Sequence, residues 1–503
     1  MESKKKDFHR PIENKTTKTE SNPLTSSLND KITRRQAISK MGWAGVGVAA
    51  VVIVGVGGYL AYEATKSPSS TTTSSTSTTT TPTVVTTTTP TVTSSSQALP
   101  TIKLGAVLSL TGAFAGFGQG MQYGHQAAIK DLNALGGMQY GNNRINISYK
   151  AYDDGSNPTN GASLASQAIL SDGVDVLMHG NGPPVTTIPI GTTAERYNTP
   201  FIMGSPFEPW SAAGPWKYSW SILFRIGTQP TGFPSQGYTI TSAYFGLNDS
   251  VFSQTNGNAS VLACGDSDGT GWYGVFPPAM SGHSPAYTVI DALLYPTGTS
   301  DFSSAITDWK NKDVEILWAN LPAPDFGTFW RQASELGFRP KIALIGRAPL
   351  FFTDINAWGD NLPLDVCTEC WWDPTWPFKG VVGSSTTPTS LAAGYTAGGT
   401  PLNRNIAFGY SAVQILNDAV GRAGSVDKDT VNTAIGETNI TAMTGPIKFF
   451  PDTHDSPCPV TIKQWQAGTG SQPAWIDPIV FSQLASSGMP APGTFAFPLP
   501  PWS

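Results

Sequence analysis

TIKLGAVLSLTGAFAGFGQGMQYGHQAAIKDLNALGG, residues 101–137, decides how the rest of the chain is read. An apolar run of strand length (102–110) leads into a glycine-punctuated turn (111–120) and then a helix (120–135) in which Ala128, Leu132 and Leu135 recur at helical spacing. Gly136 and Gly137 stand just past the last apolar position, where a glycine commonly closes a helix. A buried strand that hands its loop to a helix N-terminus makes a ligand crevice, because the first N–H groups of the helix point outward unpaired.

The same alternation continues downstream. Apolar runs at 145–151, 174–179, 200–203, 260–264, 288–294, 314–319 and 341–345 read as strands, and 160–170, 187–197, 238–245, 302–311, 326–336 and 405–423 as helices. Uninterrupted apolar strands alternating with helices imply parallel sheets covered on both faces. About 400 residues of this pattern exceed one doubly wound domain, so the expectation is an α/β fold of two Rossmann-like lobes. Residues 445–449 and 460–466 read as a closing antiparallel pair, and 468–503 as a Pro- and Gly-rich surface wrap.

The region before residue 99 is of another kind. Residues 1–40 are polar and basic and lack the apolar content for a core. The run 41–62 is 22 residues without a charge, enough to cross a bilayer as a helix, for which about 20 are needed. Trp43, Tyr59 and Tyr62 suit the headgroup level, and the preceding basic residues place the N-terminus in the cytoplasm. Arg34-Arg35 within 32–40 resembles a twin-arginine export signal, with Ala37 where that signal carries an aromatic. The run serves as a signal h-region or a retained anchor; its length and the lack of a clear A-x-A site favour the anchor. Residues 63–98 form a Ser/Thr-rich stalk on the outside of the cell.

From residue 67 onward the chain holds 19 basic and 29 acidic residues, a net charge of −10, which argues against a nucleic-acid partner. Asn146, Asn248, Asn258 and Asn439 head N-glycosylation acceptor triplets. Cys264, Cys367, Cys370 and Cys458 allow two disulfides in three connectivities, or inert thiols; a redox or zinc role for Cys367-Thr-Glu-Cys370 would need further ligands, with Cys458 and His454 the other candidates. No cofactor or metal is expected.

Set in order, the motifs resemble the type I periplasmic-binding proteins that serve branched-chain amino acid (Leu/Ile/Val) ABC importers. Leu110-Thr111-Gly112, Gly118 and Leu135-Gly136-Gly137 resemble the family's opening, and Tyr152-Asp153-Asp154 with Pro158 its acidic turn. Gly180, the 200–206 loop, Phe224-Arg225 with Gln229-Pro230, Gly265-Asp266-Ser267-Asp268 with Tyr273-Gly274, the 331–337 helix and Thr444-Gly445-Pro446 follow collinearly. The resemblance implies one bilobal domain over 99–485, with three crossovers forming a hinge and a Pro-rich tail at 486–503. Lobe one is expected at 101–221 plus 350–440 and lobe two at 222–349 plus 441–480. It implies a monomer that captures a small organic ligand (amino acid, amide or small carboxylate) on the outer face of the membrane and passes it to ABC permease subunits.

The resemblance further implies a carboxylate clamp of N–H and hydroxyl donors on lobe-one loops, at Thr111, Ala115, Gly118, Asn181, Thr186, Ser205, Phe207 and Glu208. Pro183 and Pro184 weaken that clamp, since proline has no N–H to donate. Lobe two would offer Trp272 and Tyr273, with Asp325 or Glu208 to receive an ammonium group, and Arg347 where the family carries an acid. An arginine there favours an anionic ligand by bidentate hydrogen bonding. Two other readings stand beside this one. Gly265-Asp266-Ser267 with His454 between Asp452 and Asp455 resembles a GDS-type esterase, although the block follows a mid-chain strand. An extracellular sensor or surface-layer component could share the fold.

Overall fold

The computed structural model describes residues 98–229, 231–233, 236–359, 361–484 and 488–502. The basic segment, the apolar run 41–62 and the stalk lie outside these residues. Among the described residues no helix is long and apolar enough to cross a membrane.

The first sheet grows from β1 (Thr101–Leu108), whose last five residues are buried without a break. Helix α1 (Ala115–Ala134) follows, then the hairpin β2 (Met138–Tyr140) and β3 (Asn143–Asp153), α2 (Pro158–Leu170), β4 (Val176–Asn181), α3 (Pro184–Arg196), β5 (Phe201–Gly204), α4 (Phe207–Ala213) and β6 (Ser219–Ser221). The strand order is β2-β3-β1-β4-β5-β6, parallel except for β2. Helix α1 begins earlier than the glycines suggest. A Cβ on Gly118 would lie 2.2 Å from the Ser109 carbonyl oxygen, so this glycine is there for close packing of helix on strand, not to turn the chain.

The chain then crosses to a second sheet through α5 (Ile240–Asp249), β7 (Asn258–Cys264), α6 (Ser267–Gly282), β8 (Thr288–Val289), β9 (Leu293–Tyr295), α7 (Ser303–Asn311), β10 (Ile316–Asn320), α8 (Ala323–Glu335), β11 (Ile342–Gly346), α9 (Phe352–Trp358) and β12 (Cys367–Cys370). It returns to the first sheet as α10 (Pro388–Thr396), α11 (Ile406–Ala423), α12 (Lys428–Gly436) and the hairpin β13 (Asn439–Ala442) with β14 (Gly445–Lys448). Helix α11 packs against α1 so closely that a Cβ on Gly409 would meet the Met121 carbonyl oxygen at 2.3 Å. A third crossing delivers β15 (Thr461–Gln464), the short pair β16 (Gln466–Ala467) and β17 (Trp475–Ile476), and β18 (Ile479–Phe481). The second sheet runs β18-β15-β12-β11-β10-β7-β8, parallel from β12 to β8 with antiparallel β15 and β18 at its edge, and β9 also beside β7.

Several expectations change here. The segments read as a closing pair do not pair with each other: β14 pairs with β13, and β15 with β12 and β18. The strand expected over 288–294 is broken in two by Asp291, whose backbone takes a positive φ of 38°. Helix α6 was hidden by its own Pro277 and Pro278 and by four glycines, yet its N-cap Asp266 accepts from Gly269 N–H at 2.8 Å. Strand β12 lies in the second sheet, beyond the expected lobe-two boundary at residue 349. All four cysteines are buried free thiols, so the disulfides and the Cys367–Cys370 redox pair are not formed. Of the acceptor triplets, Asn146 and Asn439 are exposed, whereas Asn248 is buried and the Asn258 amide donates to Lys312 and Asp313 carbonyls.

Two histidines sit inside the first lobe. His125 on α1 faces the Tyr149 hydroxyl at 3.1 Å, and His179 on β4 lies near it. Burial, then the neighbouring His179, pushes His125 down to about 3. Burial also lowers His179, against the pull of Asp154. The folded chain therefore binds fewer protons than the unfolded one below the ordinary histidine value of about 6.5. Stability should be complete above about pH 6.5 and fall steadily as pH drops toward 3. Urea unfolding midpoints of wild type and His125→Gln between pH 7 and 4 check this; the variant should show the shallower fall.

Candidate functional site

The carboxyl ends of the parallel strands in both sheets converge on one cleft, as is general for doubly wound sheets. The free space it encloses is ≈ 20 Å³, room for about one water molecule. The first lobe lines it with Phe117, Asn181, Pro183, Pro184 and Pro206, and the second with Asp268, Trp272, Asn320, Arg347 and Glu369. Leu223, Phe224 and Trp371, from the chain crossings, close one side.

The first-lobe loops have spent most of their donors internally, the buried Ser205 hydroxyl being left without a partner. Leu110 and Thr111 N–H groups donate to Asp153, at 3.0 and 3.2 Å, and the Thr111 hydroxyl donates to its other oxygen at 2.8 Å. Phe114 N–H donates to Ser156 Oγ at 3.0 Å, and Ala115, which opens α1, to the Gly112 carbonyl at 3.2 Å. In the second loop Gly182 N–H donates to Gly204, Thr186 and Thr187 N–H both go to Pro183, and the two prolines have none to give. The Thr186 hydroxyl also turns back to Pro183, at 3.1 Å. In the third loop Ser205 N–H donates to Ser221 Oγ at 3.1 Å and Phe207 N–H to the Phe224 carbonyl at 3.2 Å. Thr111, Ala115, Gly118, Thr186, Ser205, Phe207 and Glu208 lie outside the cavity lining; of the first-lobe candidates Asn181 lines it, with its amide donating to Asn405 at 3.1 Å.

Glu208 and Asp325, expected to receive an ammonium group, are engaged elsewhere. Glu208 accepts the N–H groups of Ile226, Gly227 and Thr228 at 2.7–2.9 Å and so fixes the first crossing. Asp325 accepts the Tyr295 hydroxyl at 2.7 Å, and Tyr273 donates to the Ala292 carbonyl at 3.2 Å. Phe207 lies beneath the Arg225 guanidinium, 3.9 Å from its centre. In this structure Thr111, Glu208 and Phe207 hold the loops and the first crossing together.

Three expected residues do meet in the cavity: Asn181, Trp272 and Arg347. Arg347 follows β11 with a positive φ of 64°, a conformation that costs a non-glycine residue energy. Its N–H donates to Glu369 at 3.1 Å, its Nη1 to Asp266 at 2.8 Å, and Asp268 lies 3.4 Å from the same nitrogen. Its Nε and Nη2 atoms are buried and meet no protein acceptor. Those two atoms form the edge of a guanidinium that grips both oxygens of one carboxylate. The chain shows this elsewhere: Arg225 donates from Nε and Nη2 to the two Asp455 oxygens, each at 2.9 Å.

Residues that sequence reading passed over complete the site. Asp268 accepts the Trp272 indole N–H at 2.9 Å; burial pushes its pKa up to about 6, against the pull of Arg347. Glu369 is also raised by burial, opposed by donation from Arg347 N–H, Thr368 and Tyr244. Burial by itself would lower Arg347, but Asp268 and Asp266 hold it above its ordinary value. Asn320, at the end of β10, is buried with both amide atoms unpartnered, as is the Trp371 indole nitrogen. The position of Asn320 directly after an apolar strand was the available signal; Glu369 and Trp371 gave none, because 367–370 was not read as a strand.

A family profile described as periplasmic binding protein matches residues 101–470. The chain belongs to the periplasmic binding protein family. It is similar to the Leu/Ile/Val-binding protein BraC3 of Rhizobium johnstonii, 22% identical over 371 residues that cover 73% of this chain and 92% of the relative. Among solved structures, a leucine binding protein, LivK, from Thermotoga maritima superposes with a TM-score of 0.60 at 19% identity, over 76% of this chain and 99% of its own. A solute binding protein of an ABC transporter from Rhodopseudomonas palustris, in complex with 3,4-dihydroxybenzoic acid, gives a TM-score of 0.58 at 19% identity, over 75% and 98%. Both likenesses show the fold, two α/β lobes of the type I periplasmic-binding class. The family binds solutes and is not enzymatic, which sets the esterase reading aside; His454 stacks on Trp220 at 3.9 Å, and Ser267 is the first residue of α6.

The Arg225–Asp455 pair ties the first crossing to the third and is almost wholly buried. Arg225→Ala leaves Asp455 uncompensated, and chemical unfolding should show a loss of about 3–5 kcal/mol, the usual cost of breaking such a pair. Arg225→Lys, which cannot form the two-pronged contact, should fall between the variant and wild type.

Proposed function

We propose that this chain is the receptor of an ABC importer and captures a small organic carboxylate between its lobes, with Arg347 as the anchor. The observation that carries this reading is the Nε–Nη2 edge of Arg347, buried in the cavity lining and unmatched by any protein acceptor. The aromatic rings of Phe117, Phe224, Trp272 and Trp371 supply the apolar walls, and with ≈ 20 Å³ of free space between them the lobes must part to admit a ligand. Relatives named for leucine, isoleucine and valine, and a structural neighbour holding a benzoic acid, support the same class.

Compared with the clamp expected from the resemblance, the polarity is reversed: the cation stands in lobe two, while the lobe-one loops have few donors left. In this reading lobe one comprises 101–221 with the segment from α10 to β14, and lobe two the remainder, with bending at the three crossings. The apolar run 41–62 anchors the chain at the outer face of the membrane, the 63–98 stalk holds the lobes away from it, and a permease receives the ligand; the composition of those segments supports this. Asn146 and Asn439 are the triplets exposed enough to carry glycans.

Thermal-shift titration of the chain with isobutyrate, 3,4-dihydroxybenzoate, isobutyramide and isoleucine tests the reading. A carboxylate at a hundredfold excess over its dissociation constant should stabilise the fold by about 2.7 kcal/mol. Arg347→Gln should weaken that binding by roughly 1.5–3 kcal/mol, the worth of hydrogen bonds to a charged group. Carboxylate binding that survives Arg347→Gln unchanged would remove Arg347 from the site.

A further inference from the structure

Resting on the carboxylate reading above, we infer that the cleft takes its ligand as an acid together with one proton, held on Asp268, and does not recruit an α-ammonium group. The ligand class is thus a small monocarboxylic acid without a second charge.

The inference comes from counting charges in the cavity. Two carboxylates flank the one guanidinium, Asp266 at 2.8 Å and Asp268 at 3.4 Å from Nη1, and a third, Glu369, accepts the Arg347 backbone N–H at 3.1 Å. Asp268, Glu369 and Arg347 are each more than nine-tenths buried. The first-lobe wall contributes no charge, since it is made of Phe117, Asn181, Gly182 and prolines. From β7 the neighbour is the uncharged thiol of Cys264, from β10 the Asn320 amide, and from α5 the Tyr244 hydroxyl, which donates to Glu369 at 3.1 Å. A ligand carboxylate on the free edge of Arg347 would add a fourth negative charge to a largely buried cluster with one cation. Buried unpaired charge is costly enough that a titratable group neutralises instead.

Two things could supply the missing positive charge, an ammonium group on the ligand or a proton on the protein. The second fits the hydrogen bonds better. Glu369 already accepts from Arg347 N–H, the Thr368 hydroxyl and the Tyr244 hydroxyl. Asp268 accepts the Trp272 indole on one oxygen, while its other oxygen lies 3.4 Å from Arg347 Nη1, and the Asn320 amide stands beside the same carboxyl. A proton settles there without a new partner of ammonium size, and it leaves Asp266 as the lasting counter-charge of Arg347. Glu208 and Asp325, the acids that might have met an ammonium group, are engaged outside the cavity.

Calorimetric titration of the full chain with isobutyrate, 3,4-dihydroxybenzoate and isoleucine, in phosphate and in Tris at pH 7.5, reads the proton directly. Binding of either acid should take up about one proton, and affinity should rise about tenfold for each pH unit from 8 down to 7. Asp268→Asn should flatten that pH profile. Acid binding with no buffer dependence overturns the proton while leaving the carboxylate anchor standing. Isoleucine binding tighter than the acids without proton uptake overturns it too, because an ammonium group would then have filled the deficit. Failure of all three probes to bind would overturn the carboxylate reading itself.

Discussion

A guanidinium that is removed from water must be neutralised where it lies, and Arg347 shows how much structure that demands. Asp266 serves at once as N-cap of α6 and as counter-ion, so the start of that helix is fixed relative to the end of β11. Asp268, in the first turn of α6, orients Trp272, whose ring is so close to Gly346 that a Cβ there would meet it at 2.8 Å. Glu369 reaches from β12 to hold the backbone of Arg347 in its positive-φ conformation. Two strands and a helix meet at this one residue, and its strain persists because each neighbour over-determines it. The part of the guanidinium not used by this scaffold is its buried Nε and Nη2 edge.

The lobes are joined by a second set of buried charges, of a different kind. Arg225 and Asp455 lock two crossings side by side, and Glu208 splints the first with three backbone contacts. Near the return crossing, Arg404 pairs with Asp477 and Asp373, and Lys463 joins Asp477 at 3.0 Å. Its neighbours Asn403 and Asn405 bond the Gly116 carbonyl and Asn181 on the first-lobe side of the cleft. Bending at the crossings therefore cannot occur without moving the cleft wall, the arrangement a capture protein needs if closure is to be felt at the site.

Much of the fold was legible because burial on both faces writes uninterrupted apolar runs, as in β1, β4 and β10, and because amphipathic helices such as α11 carry their period openly. What failed did so for local reasons. Glycines at 116 and 118 look like a turn, yet they are helical positions where a side chain would strike Phe351 or Ser109. Pro277 and Pro278 hid α6, and Cys367-Thr-Glu-Cys370 hid a strand, since two polar residues at its centre are buried by tertiary partners. The site was legible in outline only. The resemblance placed Arg347, Trp272 and Asn181 at the cleft, but it could not show which loop donors were already bound within their own lobe. That depends on hydrogen bonds between residues some 40 positions apart, such as Thr111 with Asp153.

The most direct test is a crystal structure of the chain bound to isobutyrate or 3,4-dihydroxybenzoate. The account expects the ligand carboxylate on the Nε and Nη2 edge of Arg347, with the hydrocarbon part against Phe117, Trp272 and the prolines of the first lobe. A carboxylate held instead by the loops at Thr111 and Thr186, with the Arg347 edge still unengaged, would contradict it.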